Sequence, residues 1–330
     1  LLAELTEEPV RTFSVGFGER QFDETWAART VAEYHGTDHH EFHVTPDDVR
    51  DLVPTVVGSL GEPFADPSIL PTYVVARETS REVTVALSGD GADELFAGYN
   101  KYRGEYYSKY YRSLPGVVRS KLLNPAIDRA PAARDSRIGE LSRMAQKFVR
   151  GGEPDRARRQ FQWMTRTTED TARAVPDLAV GPGGTDRVAT AQSEATAALP
   201  DERQDDMAVV QYVDARFALP DGILHKVDSA SMQNSLEVRV PFLDTDVFEY
   251  AMGLPTAFLI TRSDRKRILK HAFEDILPDE IRRRKKQGFE PPIGEWFKDE
   301  LADDFTATVA KANTDIVDSA AVDDIYREHT

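Results

Sequence analysis

Asp90, Asp93 and Glu94 crowd into the run Ser88-Gly89-Asp90-Gly91-Ala92-Asp93-Glu94, directly after the apolar residues 83–87. The β-branched cluster followed by Gly predicts a strand over 83–87. Leu95, Phe96 and Tyr99, at three- and four-residue spacing, predict a helix from about Ala92. A loop feeding a helix N-terminus favours an anion, because unpaired backbone N–H groups and the helix dipole point at it. The loop's own carboxylates oppose that anion unless a divalent cation accompanies it. Mg²⁺ suits this role, since it takes hard oxygens and leaves positions for phosphate oxygens. Residue types and spacing therefore point to a magnesium–nucleotide site. The plainer alternative is a strand-to-helix turn whose Asp caps the helix. The run matches neither G-x-x-x-x-G-K-[ST] nor G-x-G-x-x-G.

Two later segments carry charge that such a site could use. Residues 281–297, IRRRKKQGFEPPIGEWF, place five consecutive basic residues before a Gly and a double Pro. A cationic loop of this kind can close over a polyphosphate, with one Lys neutralising charge that develops on a departing phosphate group. A solvated charge run or a nucleic-acid patch is the alternative. Residues 219–244 mix Lys226, Asp228, Glu237, Arg239 and Asp244 with apolar side chains. These read either as groups facing a shared cleft or as a buried ion-pair network holding helix to loop. His35, His39, His40 and His43 also cluster, but His39 and His40 on one strand point to opposite faces and cannot easily share a metal.

The elements that must position these groups alternate in kind. The start, LLAELTEEPV, reads as the tail of an amphipathic helix breaking near Pro9, so the chain is expected to begin within a domain. Strands are predicted over 11–17 and 39–44, with a helix capped by Asp23 running to about Tyr34 between them. A helix over 46–60 carries Val53, Val56 and Val57 on one face, and a Pro-marked turn leads to a further helix before the strand at 83. Such alternation predicts an α/β fold with a parallel sheet covered by helices. Ligands gather beyond the carboxyl ends of such strands, so Val15-Gly16 and Ser88-Gly89 are expected on one rim. From about Tyr99 onward helices dominate, with 180–187 as the clearest flexible link. One domain is expected over 1–330, its α/β part spanning 1–105 and a mainly helical part over 106–330 sharing the cleft.

Composition narrows the partners. Hydrophobic residues make up 40% of the 330, and no apolar run approaches a membrane span, so a cytoplasmic protein is expected. The absence of cysteine excludes disulfides, thiolate metal sites and a Cys nucleophile within these residues. Lys+Arg 41 against Asp+Glu 57 gives a formal charge of −16, which argues against general attraction to nucleic acid or acidic membranes.

Taken in order, SVGF, FDE, EPFADPSILPTY, LSGDGADELFAGY, KVDSASMQNSLEVRVPFLD and RRKKQGFEPPIGEWF closely resemble the synthetase domain of glutamine-dependent asparagine synthetases. The resemblance runs from about Arg11 to Phe297 and is thin over 113–206. It implies an adenine nucleotide alpha hydrolase-like fold of the ATP pyrophosphatase type, with ATP and Mg²⁺ as cofactors. It further implies that ATP activates the aspartate side-chain carboxylate as an acyl-adenylate, after which ammonia gives asparagine and AMP. By resemblance, Val15 contacts adenosine, and Ser88 and Gly89 contact the nucleotide. Asp90 is a catalytic acid, Asp93 partners Mg²⁺-pyrophosphate, and Lys286 is the catalytic lysine. Glu94 and Asp66 are further members of the pocket.

The resemblance places a glutaminase domain in cis as the source of ammonia and admits a homodimer. The family's S-G-G-x-D-S loop and its leading Cys do not occur in these residues, so a truncated form, inactive alone, is expected. An acid at Asp90 favours the asparagine-forming branch over β-lactam-forming relatives, which place a tyrosine there. Two alternatives stand beside this reading: an amidotransferase acting on another carboxylate, and a non-catalytic nucleotide-binding remnant.

Overall fold

Two parallel strand pairs, rather than one continuous sheet, carry the β structure of the computed structural model. The model describes residues 1–62, 64–130, 137–150, 152, 155–164, 174, 183–203, 205–284, 288–312 and 315–329. Strand β1 (Arg11–Phe17) pairs with β2 (Asp38–Val44), Arg11 opposite Asp38 and Phe17 opposite Val44. Strand β3 (Val85–Leu87) pairs with β4 (Glu237–Arg239), Val85 opposite Glu237. Among the described residues no backbone ladder joins β1 to β3. Their bases are linked instead through the Arg11 guanidinium, whose Nη1 donates to the Glu82 carbonyl at 2.9 Å.

The first helices follow the sequence expectation with local corrections. Helix α1 (Leu2–Leu5) ends well before Pro9. Helix α2 (Thr25–His35) has Glu24 at its N-cap with no side-chain bond; Asp23 instead folds onto the first turn and accepts from Thr25 N and Oγ1. Helix α3 (Pro46–Ser59) opens on a reciprocal cap between Thr45 and Asp48, with Pro46 where no N–H is needed. Its core-facing residues are Val49 and Val56, seven apart, while Val53 and Val57 are exposed. Helix α4 (Ile69–Thr79) packs against β1, β2 and the later helix His225–Met232, which leads into β4. That connection ties the two strand pairs together.

The helix expected from Ala92 breaks early. Helix α5 (Ala92–Leu95) is a single turn, Ala97 takes φ +55, and α6 (Asn100–Arg112) starts anew. The part of the expected flexible link that is described, residues 183–187, is helical within Gly183–Ala198. The sequence reading also passed over β4, whose three residues are too few and too charged to show a strand pattern.

The C-terminal half centres on one continuous helix. It runs as α-helix over Asp206–Val213, widens to π-helix over Asp214–Leu224, and resumes as α-helix over His225–Met232. Pro220 lies inside the wide stretch, where a missing N–H is tolerated by the altered ladder. One core cluster joins Leu95, Phe96 and Tyr102 to Met207, Val210, Leu259 and Ile260 behind the acidic turn. A second joins Phe17, Val44, Val56, Leu70 and Val74 to Trp296 and Leu301 around β1 and β2. Each cluster fixes the end of one strand pair.

Candidate functional site

The acidic turn after β3 is held from both sides. Ser88 N donates to the Arg239 carbonyl at 2.9 Å, extending the β3–β4 ladder into the turn. Ser88 Oγ donates to the Asp90 carboxylate, and Asp90 N donates back to Ser88 Oγ at 3.2 Å. Gly91 then takes φ +81, and a Cβ there would lie 2.5 Å from the Leu243 side chain. Both conformation and space therefore require glycine. Gly91 is the N-cap of α5 and no side chain caps it, so Asp90 is not a helix cap. A single-turn helix also adds little dipole, which moves the weight of anion binding from α5 to side chains.

Asp93 is fixed by a residue that no sequence pattern singles out. Lys266 Nζ lies 2.9 Å from Asp93 Oδ1, and Lys266 N donates to the Phe96 carbonyl at 3.1 Å. Lys266 itself adopts φ +51, a left-handed conformation that costs a non-glycine residue about 1–2 kcal/mol. Beneath the pair lies Gly98, where a Cβ would stand 1.8 Å from Asp93 Oδ1 and 2.4 Å from Lys266 Cε.

Glu94 is turned inward. It is 2% exposed, and Tyr99 Oη donates to its Oε1 at 2.8 Å. Burial pushes the Glu94 carboxyl above its ordinary range, and the Tyr99 bond only partly opposes that. Gln211 Nε2 donates to the Glu94 and Leu95 carbonyls at 2.8 and 3.1 Å, satisfying the end of α5. Gln211 in turn accepts from buried Arg203 at 3.3 Å, so two side chains hidden in the helical half hold the turn's far end.

On the β1 side, Val15 is half-buried opposite Phe42. Asp66, at the entry to α4, accepts from Ser68 N at 3.1 Å and Ser68 Oγ at 2.7 Å. Lys226, 7% exposed, donates to the same Ser68 Oγ at 2.8 Å and stands 3.6 Å from Asp66 Oδ2. Asp66, Ser68 and Lys226 thus form one compact polar group between α4 and helix His225–Met232. The other charges of 219–244 do not join it. Glu237 and Arg239 pair on the surface, and Asp244 caps helix Thr245–Gly253 through Asp246 N at 3.0 Å. Of the two readings of this segment, a single buried ion-pair network is not what forms: Glu237, Arg239 and Asp244 make separate local contacts.

Lys286 lies outside the described residues, with Lys285 and Gln287. On either side of them, Arg284 Nη2 meets Glu24 Oε1 at 2.6 Å and the Phe289 ring lies 6.4 Å from Phe17 at the end of β1. Arg282 and Arg283 both pair with Asp279. A cleft of about 1950 Å³ is lined by Gly98 and Lys266 together with Arg282, Arg283 and Arg284. The partner of Asp93 and the described part of the basic run therefore border one space. Among the described residues no group of three or more His, Asp or Glu could hold a metal ion by itself. His39 bonds Thr12 Oγ1 at 2.8 Å, and His40 stacks on Phe13. No helix among the described residues is long and apolar enough to cross a membrane.

Comparison with known proteins places the chain in a family. A family model described as asparagine synthase matches residues 1–330. Asparagine synthetase (glutamine-hydrolyzing) 1 of Bacillus subtilis is 32% identical over 306 residues, covering 93% of this chain and 46% of that protein. A Mycobacterium tuberculosis protein provisionally named as the same enzyme is 34% identical over 320 residues, covering 96% of this chain and 47% of its own length. Asparagine synthetase (glutamine-hydrolyzing) 3 of Bacillus subtilis is 26% identical over 312 residues. The chain thus spans about half the length of the curated relatives it matches. Match length, identity and the built acidic turn lead to one conclusion: the chain belongs to the asparagine synthase family.

Proposed function

We propose that the chain is the synthetase part of an ATP-dependent ligase that converts aspartate to asparagine, on an adenine nucleotide alpha hydrolase-like fold. The observation carrying this reading is the acidic turn itself: Ser88 locks Asp90 at the end of β3, while Lys266 fixes Asp93 beside the cleft. Asp90 and Asp93 offer two carboxylates on one turn, the donor set Mg²⁺ uses when substrate phosphates complete its shell. When bound, the ion would neutralise phosphate charge.

The chain's own residues divide the remaining work. The β1 end at Val15 and the turn at Ser88-Gly89 receive the adenosine and its phosphates. The Asp66–Ser68–Lys226 group receives the amino-acid acceptor, with the Lys226 ammonium available to a carboxylate. An acceptor carboxylate oxygen bonds to the α-phosphorus as pyrophosphate leaves, and Lys286 stabilises that departing charge. Ammonia, released from glutamine elsewhere in the full protein, then attacks the carbonyl carbon and AMP leaves.

In the full-length protein, ATP with aspartate and ammonia is expected to yield equal amounts of asparagine, AMP and pyrophosphate, and Lys286→Ala to slow pyrophosphate release by about 10²–10³-fold. Release of ADP and phosphate, or AMP formation indifferent to aspartate, would overturn the reading.

A further inference from the structure

Most cations around the large cleft are already matched. Lys101 pairs with Asp214, Lys266 with Asp93, Lys270 with Asp264 and Arg284 with Glu24. Arg103, Arg262 and Arg265 line the same cleft, and among the described residues none of the three pairs with a carboxylate. Arg265 Nη1 donates to the Gly98 carbonyl and to Asn100 Oδ1, both at 2.8 Å. The Arg103 guanidinium lies 5.8 Å from the Tyr107 ring centre, and Tyr107 Oη donates to the Arg262 carbonyl at 2.8 Å. A bridge between Ile260 and Arg265, with Thr261 N donating to the Asp264 carbonyl at 2.8 Å, folds this segment into a hairpin. The Arg103 and Arg265 guanidiniums are therefore seated against α6, and the Arg262 backbone is tied to the same helix.

Their proximity is unfavourable as it stands. Burial and then repulsion from Arg103 lower the Arg265 guanidinium below its ordinary range, against a smaller opposing pull from Asp93 and Asp264. Among the described residues no carboxylate forms a salt bridge with any of the three, which leaves their donors to an anion from solution.

We propose that Arg103, Arg262 and Arg265 form a binding site for a multivalent phosphate, with pyrophosphate as its ligand. Guanidinium forks match phosphate oxygens two at a time, which a hydrated ammonium does not. Lys266 connects this site to the acidic turn, because it holds Asp93 and lines the cleft beside Arg265. On the reading given above, pyrophosphate is released at that turn, and the arginines draw it outward into the cleft. The choice of pyrophosphate rests on that reading; the anion site rests on the arginines alone.

The test is calorimetric titration of the intact protein with sodium pyrophosphate in EDTA, so that no metal ion bridges the ligand to the carboxylates of Asp90 and Asp93. Arg103→Gln and Arg262→Gln, both at exposed positions, are expected to weaken binding about tenfold each. AMP, with one phosphate, is expected to bind at least tenfold more weakly than pyrophosphate. No binding in EDTA, or binding that the arginine variants do not weaken, overturns the site; AMP binding as tightly as pyrophosphate overturns the choice of ligand. Failure of the ligase reading would appear separately, as loss of aspartate-dependent AMP formation with arginine-dependent titration intact.

Discussion

The Lys266 ammonium stands 2.9 Å from the Asp93 carboxylate directly above Gly98, so that one missing methyl group makes room for the pair. A chain segment far from the acidic turn thereby sets the direction of one of its acids. Gly98→Ala would drive a Cβ to 1.8 Å from Asp93 Oδ1 and force the pair apart. The expected outcome is a loss of about 1–3 kcal/mol in urea unfolding together with a marked fall in pyrophosphate release. Native turnover in a destabilised variant would show that the Asp93 direction does not matter.

Arg159 and Glu105 form a buried two-pronged ion pair, Nε to Oε2 and Nη2 to Oε1, both at 2.7 Å. Arg159→Met leaves the Glu105 charge buried, though Arg112 lies 3.8 Å away. A loss of about 3–5 kcal/mol is expected from denaturant unfolding. The double variant Arg159→Met with Glu105→Leu should recover most of it, because no charge is then stranded.

Glu94 supplies the pH prediction. Its folded-state carboxyl lies above the ordinary 4.5 because of burial. A carboxyl shifted upward on folding contributes stability fully below the unfolded value, and that contribution is lost as pH rises through the folded value. Glu94→Gln, always neutral and still able to accept from Tyr99, should therefore be more stable than the parent at about pH 8. Thermal melts should show the advantage shrinking as pH falls toward 4.5. An advantage that does not change with pH would refute the assignment to Glu94 ionisation.

Lys226→Met tests the acceptor side. It removes the charged donor from Ser68 and the ammonium that stands 3.6 Å from Asp66. Hydrogen bonds to charged groups contribute about 1.5–3 kcal/mol, so KM for aspartate should rise at least about tenfold while KM for ATP stays within about twofold. Equal changes in both would place the lysine in a general structural role.

Local pattern made some of this visible from sequence. Strand β1 was legible to the residue because Arg11–Phe17 is bounded by Pro9 on one side and Gly18 on the other. The apolar face read for α3 holds at Val56 but not at Val53 and Val57, because packing against Ile69, Leu70 and Val74 of α4 selects Val56 alone of the three. Asp66 and Ser68 were in view, but their link to Lys226 crosses 158 residues, and no spacing rule reaches that far. Lys266 was hidden for a related reason: among Arg265, Arg267 and Lys270 it looks like one more solvated charge, and only its left-handed backbone sets it apart. Arg203 and Gln211 gave no signal, since a polar side chain that bonds a distant carbonyl looks in sequence like any exposed one.

The wide π-helical stretch Asp214–Leu224 has a mechanical corollary. Asp214, at its first residue, grips Lys101 of α6, and Lys226, just beyond its last, grips Ser68 of α4. The winding of those 11 residues thus sets the phase angle between the two grips. Tightening the coil to ordinary pitch would rotate one grip against the other, so the acceptor pocket and the wall of the cleft share one setting.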